Sequence, residues 1–256
     1  MKIFILCGGF GSRLDYEGTL IAKPMIRIGK KPILLHLIET FVKQGFNEFV
    51  ICTGFKSETI TNFFLKKKNK IKLLKKKKEL TKIIYKVLSN EISIDFVYTG
   101  INVGTGGRVK TAYKNLKLNE DIFVTYGDGI ADIKINNLIK FHYKNNALMT
   151  LTAVRPKERY GILKLSKNSK KVLNLDESKN KSNTFINGGY FIMSKTIINK
   201  IKNKSIYFER EPLNSVLKLK KLFAFKHDGF WKSLDTLKDK NEFNNILKAG
   251  KKPWIN

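Results

Sequence analysis

The stretch KIFILCGGFGSRL, residues 2–14, runs a short apolar segment into a loop with three glycines and an arginine. The apolar part reads as a buried strand. A glycine loop that joins a strand to a helix exposes backbone N–H groups, which cradle phosphates. The loop is not a P-loop, because no GK[ST] closes it. It is also a poor dinucleotide fingerprint, since the third glycine of that pattern would fall at Leu14. Two cations follow the glycines, Arg13 and Lys23. That is more positive charge than a dinucleotide calls for, and it points to a triphosphate.

Outward from this loop the chain alternates strands and helices. Residues 32–46 place apolar side chains at 34, 37, 38, 41 and 42, the spacing of an amphipathic helix. EFVICTGF (48–55) reads as a strand, 57–64 as a short helix, IDFVYTG (94–100) as a strand and 106–116 as a helix. DIFVTYGDG (121–129) is a strand ending in a carboxylate, and 134–146 is again a helix by spacing. After residue 148 strands dominate: LMTLTAVRP, GILKLS, KKVLNLD and TFINGGYFIMS. Helices return at 195–202 and 209–219, LFAFKHDGFWKSLDT adds one or two strands, and 236–249 closes as a helix. The expectation is an α/β fold: a Rossmann-like mixed, mostly parallel sheet flanked by helices, with a small β-rich C-terminal part. With no Gly/Ser- or Pro-rich linker, residues 1–256 read as one domain, 1–147 a nucleotide-binding core and 148–256 the sugar-phosphate-binding and C-terminal part.

Composition bounds the function. Apolar residues make up 42%, enough for a packed core rather than a disordered chain. No apolar run approaches the roughly 20 residues of a membrane span, and IFIL is shorter than the core of a signal peptide. The expected compartment is the cytoplasm. Cys7 and Cys52 each lie in an apolar, strand-like segment and read as small buried residues. The net charge of +29 suggests an anionic partner, yet only six of the basic residues are Arg. Bidentate phosphate readout prefers Arg, so nucleic acid is not expected as the primary partner. Residues 66–82 hold ten lysines, and Leu73, Leu80, Ile84, Val87 and Leu88 fit one helical face. The expectation for 66–88 is a solvated helix packed on its own protein or on a sister subunit, rather than a membrane-binding segment.

GGFGSRL followed by AKPM (22–25) resembles the signature of the sugar nucleotidyltransferases, which join a nucleoside triphosphate to a sugar 1-phosphate and release pyrophosphate. Ser12 stands where that signature usually has Thr and keeps the hydroxyl. GTGGRVK (104–110), VTYGDGIADI (124–133), FINGGYFIM (185–193), FEREPL (208–213), HDGFWKSLDTLKDKN (227–241) and GKKPW (250–254) narrow the resemblance to the branch that acts on glucose 1-phosphate with CTP. It runs from residue 3 to residue 254 and is interrupted mainly around 66–92.

The resemblance implies cytidylyl transfer giving CDP-glucose, with Mg²⁺ as cofactor, for deoxysugars of a surface polysaccharide. It places Leu6, Gly8, Gly9, Gly11, Ser12, Arg13, Lys23, Thr105, Gly106, Arg108, Tyr126 and Gly127 at the nucleotide. Arg13, Lys23 and Asp128 are the implied catalytic groups, and Asp128 and Asp235 the implied metal ligands. The sugar phosphate would meet Glu177, Lys179, Asn187 and Gly188. A homo-oligomer, with a hexamer as one form, is implied as well. The chemistry suits these residue types, because attack of one phosphate on another needs positioning and charge neutralisation. Mg²⁺ takes one or two carboxylates plus substrate oxygens. Arg108, at a helix start, opposes the helix dipole and calls for an anionic partner. His36, His142, His227 and Trp231 read as packing or surface groups.

One position departs from the pattern. The related motif has Glu-Lys-Pro before NGG, and its lysine contacts the sugar phosphate. Here Glu177 is followed by Ser178 and Lys179. Three readings stay open: a shifted Lys179 or Lys181 supplies the charge, the acceptor is a different phosphate, or the activity is impaired. Beside the enzyme stand two readings of another class, a nucleotide sensor without catalysis and a basic nucleic-acid or membrane binder. The retained Arg13, Lys23, Asp128 and Asp235 favour catalysis.

Overall fold

The computed structural model describes residues 1–10, 21–66, 69–77, 79–156, 162–165, 172–176, 184–201 and 207–255. Gly11, Ser12, Arg13, Glu177, Ser178, Lys179 and Lys181 lie outside the described residues.

The first strand, β1 (Ile3–Cys7), is buried along its whole length, as an all-apolar central strand must be. A single 3₁₀ turn at Lys23–Met25 and a two-residue hairpin, β2 (Arg27–Ile28) and β3 (Lys31–Pro32), lead into α1 (Ile33–Val42). The chain continues through β4 (Glu48–Thr53), α2 (Ser57–Lys66), β5 (Lys70–Lys76), β6 (Leu80–Val87), β7 (Asn90–Tyr98), α3 (Thr105–Asn115), β8 (Ile122–Tyr126), β9 (Gly129–Ala131) and α4 (Ile135–Lys144). The remainder is β10 (Met149–Val154), β11 (Ile162–Leu165), β12 (Val172–Asp176), β13 (Ile186–Met193), α5 (Lys195–Lys200), α6 (Glu211–Lys218), β14 (Leu222–His227), β15 (Trp231–Ser233) and α7 (Leu237–Lys248).

Nine strands form one sheet in the order β14-β10-β13-β8-β1-β4-β7-β6-β5. Its centre, β8-β1-β4-β7, is parallel, and antiparallel pairs flank it. One face packs Ile3, Ile5, Phe41, Phe64 and Tyr190, while the other packs Phe4, Val50, Phe191 and Phe208. Strands from both sides of residue 147 share this sheet, so β10, β13 and β14 extend the core rather than form a separate layer. The chain leaves β1 for β4 on one side and later adds β8 on the other. A crevice therefore opens at the carboxyl end of β1, the place where open α/β sheets bind ligands.

Two expectations are corrected. Among the described residues of 66–88 there is no helix beyond the end of α2; β5 and β6 form an antiparallel hairpin on the sheet edge. Thr81, Ile83, Tyr85 and Val87 are buried, a period of two, whereas Leu73 and Leu88 of the supposed helical stripe are exposed. The predicted strand over 121–129 is interrupted: β8 ends at Tyr126, and Gly127 and Asp128 form a turn before β9. Among the described residues, no helix is long and apolar enough to cross a membrane.

Candidate active site

The carboxyl edge of the sheet gathers motifs that are far apart in sequence. Gly8 and Gly9 follow β1, Gly54 follows β4, Thr99 and Gly100 follow β7, and Gly127 and Asp128 follow β8. Leu6 is buried, and its carbonyl accepts the Gly127 N–H at 3.0 Å. A methyl group at Gly127 would meet Cys7 Sγ at 2.6 Å and Pro24 Cγ at 2.9 Å, so only glycine lets this turn lie against the Lys23–Met25 turn. A cleft of about 530 Å³ opens between α2 and the β5–β6 hairpin, lined by Thr53, Glu58, Asn62, Lys76 and Tyr98, and none of Lys23, Asp128 and Asp235 lines it.

Lys23 is the hub. Its Nζ lies 2.7 Å from Asp128 Oδ2 and 2.8 Å from Asp235 Oδ1. Pairing of β9 with β15 brings these carboxylates together, and the Leu234 N–H donates to the Asp128 carbonyl at 2.8 Å. The segment before α7 holds Asp235 in place. Ser233 Oγ donates to its Oδ2 at 2.6 Å, and Asp239 accepts from the backbone N–H of Asp235 and Thr236 in a capping box. Burial works against the charge on Lys23, but Asp128 and Asp235 outweigh it and hold its pKa above the ordinary value. The carboxylates stay 28% and 24% exposed, within reach of a ligand from solvent.

This donor set suits Mg²⁺. Two hard carboxylates converge on one point, now met by the Lys23 ammonium, and would leave the other ligand positions of such an ion to phosphate oxygens and water. Among the described residues, no group of three or more His, Cys, Asp or Glu could hold a metal by itself.

Arg108 is enclosed by the protein. It is 4% exposed and meets no carboxylate among the described residues. Its guanidinium donates to Thr99 Oγ1 (2.8 Å), to the carbonyls of Gly100 (2.7 Å), Gly8 (2.8 Å) and Ile101 (2.8 Å), and more weakly to Thr53 (3.4 Å). Carbonyl dipoles, rather than an anion, satisfy it. It fastens the start of the glycine loop to the ends of β4 and β7. Side chains at Gly8 or Gly54 would collide with its guanidinium. Sequence reasoning missed Gly54 in this role.

Thr105 and Tyr126 meet through Glu209. Both hydroxyls donate to its carboxylate, and Thr105 Oγ1 also accepts the Phe208 N–H at 3.2 Å. Burial and the Glu209 charge push the Tyr126 phenol far above its ordinary pKa, so it stays a donor. Glu209 was not singled out from the sequence; the signal available was an acid inside FEREPL. Gly106 lies buried in the first turn of α3.

Asn187 Oδ1 accepts the Gly189 N–H at 2.9 Å, and Gly189 takes φ +79°, where a side chain would also strike the Tyr126 ring. Trp231, read as packing, donates from Nε1 to the Gly188 carbonyl at 2.7 Å. Trp231→Phe is therefore expected to cost about 1–3 kcal/mol of stability, because it leaves that carbonyl unpaired. Urea unfolding with a lowered midpoint and an unchanged slope would show it. His36, His142 and both cysteines are buried, and burial lifts the Cys52 thiol to about 12. His227 Nε2 pairs with Asp132 Oδ1 at 2.9 Å.

Comparison with known proteins places this arrangement. The model of the nucleotidyl transferase family matches residues 2–247. The chain belongs to the nucleotidyl transferase family. It is 35% identical to the glucose-1-phosphate cytidylyltransferase of Salmonella typhi, over 99% of this chain and 98% of that protein. It is 33% identical to a probable glucose-1-phosphate cytidylyltransferase of Bacillus subtilis, over 99% of each. A solved structure of HddC from Yersinia pseudotuberculosis, complexed with GMP-PN, matches with a TM-score of 0.69. It is 23% identical and covers 96% of this nucleotidyltransferase and 99% of HddC, so it shares the fold.

Proposed function

We propose that this nucleotidyltransferase transfers a cytidylyl group from CTP to α-D-glucose 1-phosphate, giving CDP-glucose and pyrophosphate. The observation that carries the reading is the Lys23–Asp128–Asp235 cluster at the carboxyl edge, in a chain similar over its full length to glucose-1-phosphate cytidylyltransferases.

A phosphate oxygen of the sugar phosphate attacks the α-phosphorus of CTP, and the bond to the β-phosphate bridging oxygen breaks. Lys23 neutralises phosphate charge as the anions approach. The glycine loop, anchored at Gly8 by Arg108, wraps the nucleotide, and Arg13 joins Lys23 at the triphosphate. Asp128 and Asp235 would hold Mg²⁺, which when bound screens the phosphate charges and orients their oxygens. Trp231 and Asn187 shape the segment 187–189 that receives the sugar. No covalent nucleophile is required.

Pyrophosphate release tests the reading, with CTP, UTP, dTTP, ATP and GTP each offered with glucose 1-phosphate and Mg²⁺. Fast release with CTP alone is expected. Release with another nucleotide, or from CTP only with another sugar phosphate, would reassign the base or the acceptor. Silence with every pair would sink the reading.

A further inference from the structure

We propose that the lysine-rich hairpin β5–β6 is a docking surface for an anionic membrane, whose headgroups meet the lysines while the acyl boundary takes the exposed leucines. This surface is independent of the reaction proposed above. The segment 66–88 holds eleven lysines and a single acid, Glu79. Its apolar groups are not buried as they would be in a helix packed on the protein. Ile71, Leu73 and Leu74 stand 48%, 41% and 44% exposed, and Leu88 is exposed just beyond β6. β5 is the last strand of the sheet, and among the described residues no strand pairs with its outer edge.

Register lays out the charge. Lys72 stands opposite Ile84 and Lys75 opposite Lys82, so these four share one face with Lys86, two residues beyond Ile84. Asp95 and Glu91 lie opposite Lys82 and Lys86, whereas Lys70, Lys72 and Lys75 stand opposite no acid. Leu73, opposite the buried Ile83, leaves the strand on the other face. Apolar and basic groups therefore surround the edge on both sides. A docked protein would cover one face, but a headgroup layer envelops a protruding hairpin edge. Nucleic acid would match the lysines and offer nothing to Ile71, Leu73 and Leu74. Lysines on a free edge also deter strand addition, yet that duty calls for no exposed leucines. Basic clusters interleaved with apolar side chains are what an anionic leaflet attracts and retains.

Sedimentation of the full chain with vesicles is the test. Binding is expected to vesicles of equal parts phosphatidylglycerol and phosphatidylcholine, not to phosphatidylcholine alone, and it should fall as salt rises. Each lysine near such a surface strengthens partitioning about fivefold, so Lys70→Gln, Lys72→Gln and Lys75→Gln together should weaken it about a hundredfold. Leu73→Thr with Leu74→Thr keeps every charge and the strand propensity, and should still weaken binding about tenfold. Urea midpoints close to wild type show that the variants fold; should the triple variant unfold, Lys72→Gln alone, about fivefold weaker, takes its place. No binding to the mixed vesicles, equal binding to the neutral ones, or lysine variants that bind as the wild type does would overturn the proposal. A leucine variant with unchanged binding would overturn it too, because the lysines would then be a general cation patch. Duplex DNA bound more tightly than the mixed vesicles, and lost in the triple variant, would give the surface to nucleic acid instead.

Discussion

Replacing Asp128 with Asn is expected to slow pyrophosphate release by about a thousandfold while leaving the protein folded. The substitution is nearly isosteric and falls in a turn whose backbone is held independently, by Leu234 on the Asp128 carbonyl and by Leu6 on the Gly127 N–H. The side chain is 28% exposed and supports no core packing. What it removes is charge. Lys23 then keeps one carboxylate instead of two, and its raised pKa moves back toward the ordinary value, so the ammonium remains protonated at neutral pH. The loss therefore reports the missing anion at the cation position rather than a neutralised lysine. It should appear in kcat at saturating substrates, with the urea midpoint close to wild type. Asp235→Asn should behave alike, because the Asp239 cap still holds its backbone N–H and Ser233 can still donate to the side-chain oxygen. An Asp128→Asn variant that is fully active would remove this carboxylate from the chemistry, and one that unfolds would make it structural.

Much of this fold was legible because its strands carry unbroken apolar runs and its helices a clean stripe. KIFILC, EFVICT and IFVTY sit where their composition predicts, at the parallel centre, buried on both faces. The hairpin over 70–87 was not legible by the helical pattern applied to it. β5 is an edge strand exposed along nearly all its length, so burial imposes no pattern on it, and two bulges against β6 break its alternation. The true signal lay in Thr81, Ile83, Tyr85 and Val87, interleaved with Lys82 and Lys86. At the site, motif resemblance picked out Lys23, Asp128 and Asp235. That one ammonium would touch both carboxylates depends on the β9–β15 pairing, a long-range contact that no local pattern encodes. Trp231 and Glu209 escaped for the same reason: each acts through a partner distant in sequence, Gly188 in one case, Thr105 and Tyr126 in the other.

Arg108→Ala is expected to be the most damaging single change to stability, costing about 3–5 kcal/mol and lowering Tm by about 10 °C. The guanidinium is buried among the Thr99 hydroxyl and the carbonyls of Gly8, Gly100, Ile101 and Thr53. Removing it leaves the Gly100 carbonyl unpaired among the described residues, leaves the Gly8 and Ile101 carbonyls with only the N–H groups of Phe55 and Val103, and opens a void against Gly8 and Gly54. Some of that penalty is relieved where water can enter. Arg108→Lys should rescue little, because an ammonium is a point charge and cannot present a planar fan of N–H donors to acceptors around its edge. The same geometry fixes two glycines. Gly54→Ala would set a methyl group 2.5 Å from the Gly100 carbonyl and 2.9 Å from that of Gly8, as well as against Arg108. Backbone atoms cannot swing aside as a side-chain tip can, so this small change should destabilise more than a surface alanine ever does. CTP protection against heat separates the two duties of the clamp. If Arg108 only supports the fold, the variant melts earlier but gains as many degrees from CTP as the wild type. If, as the Gly8 contact indicates, it also sets the glycine loop for the nucleotide, the gain from CTP shrinks along with the baseline Tm.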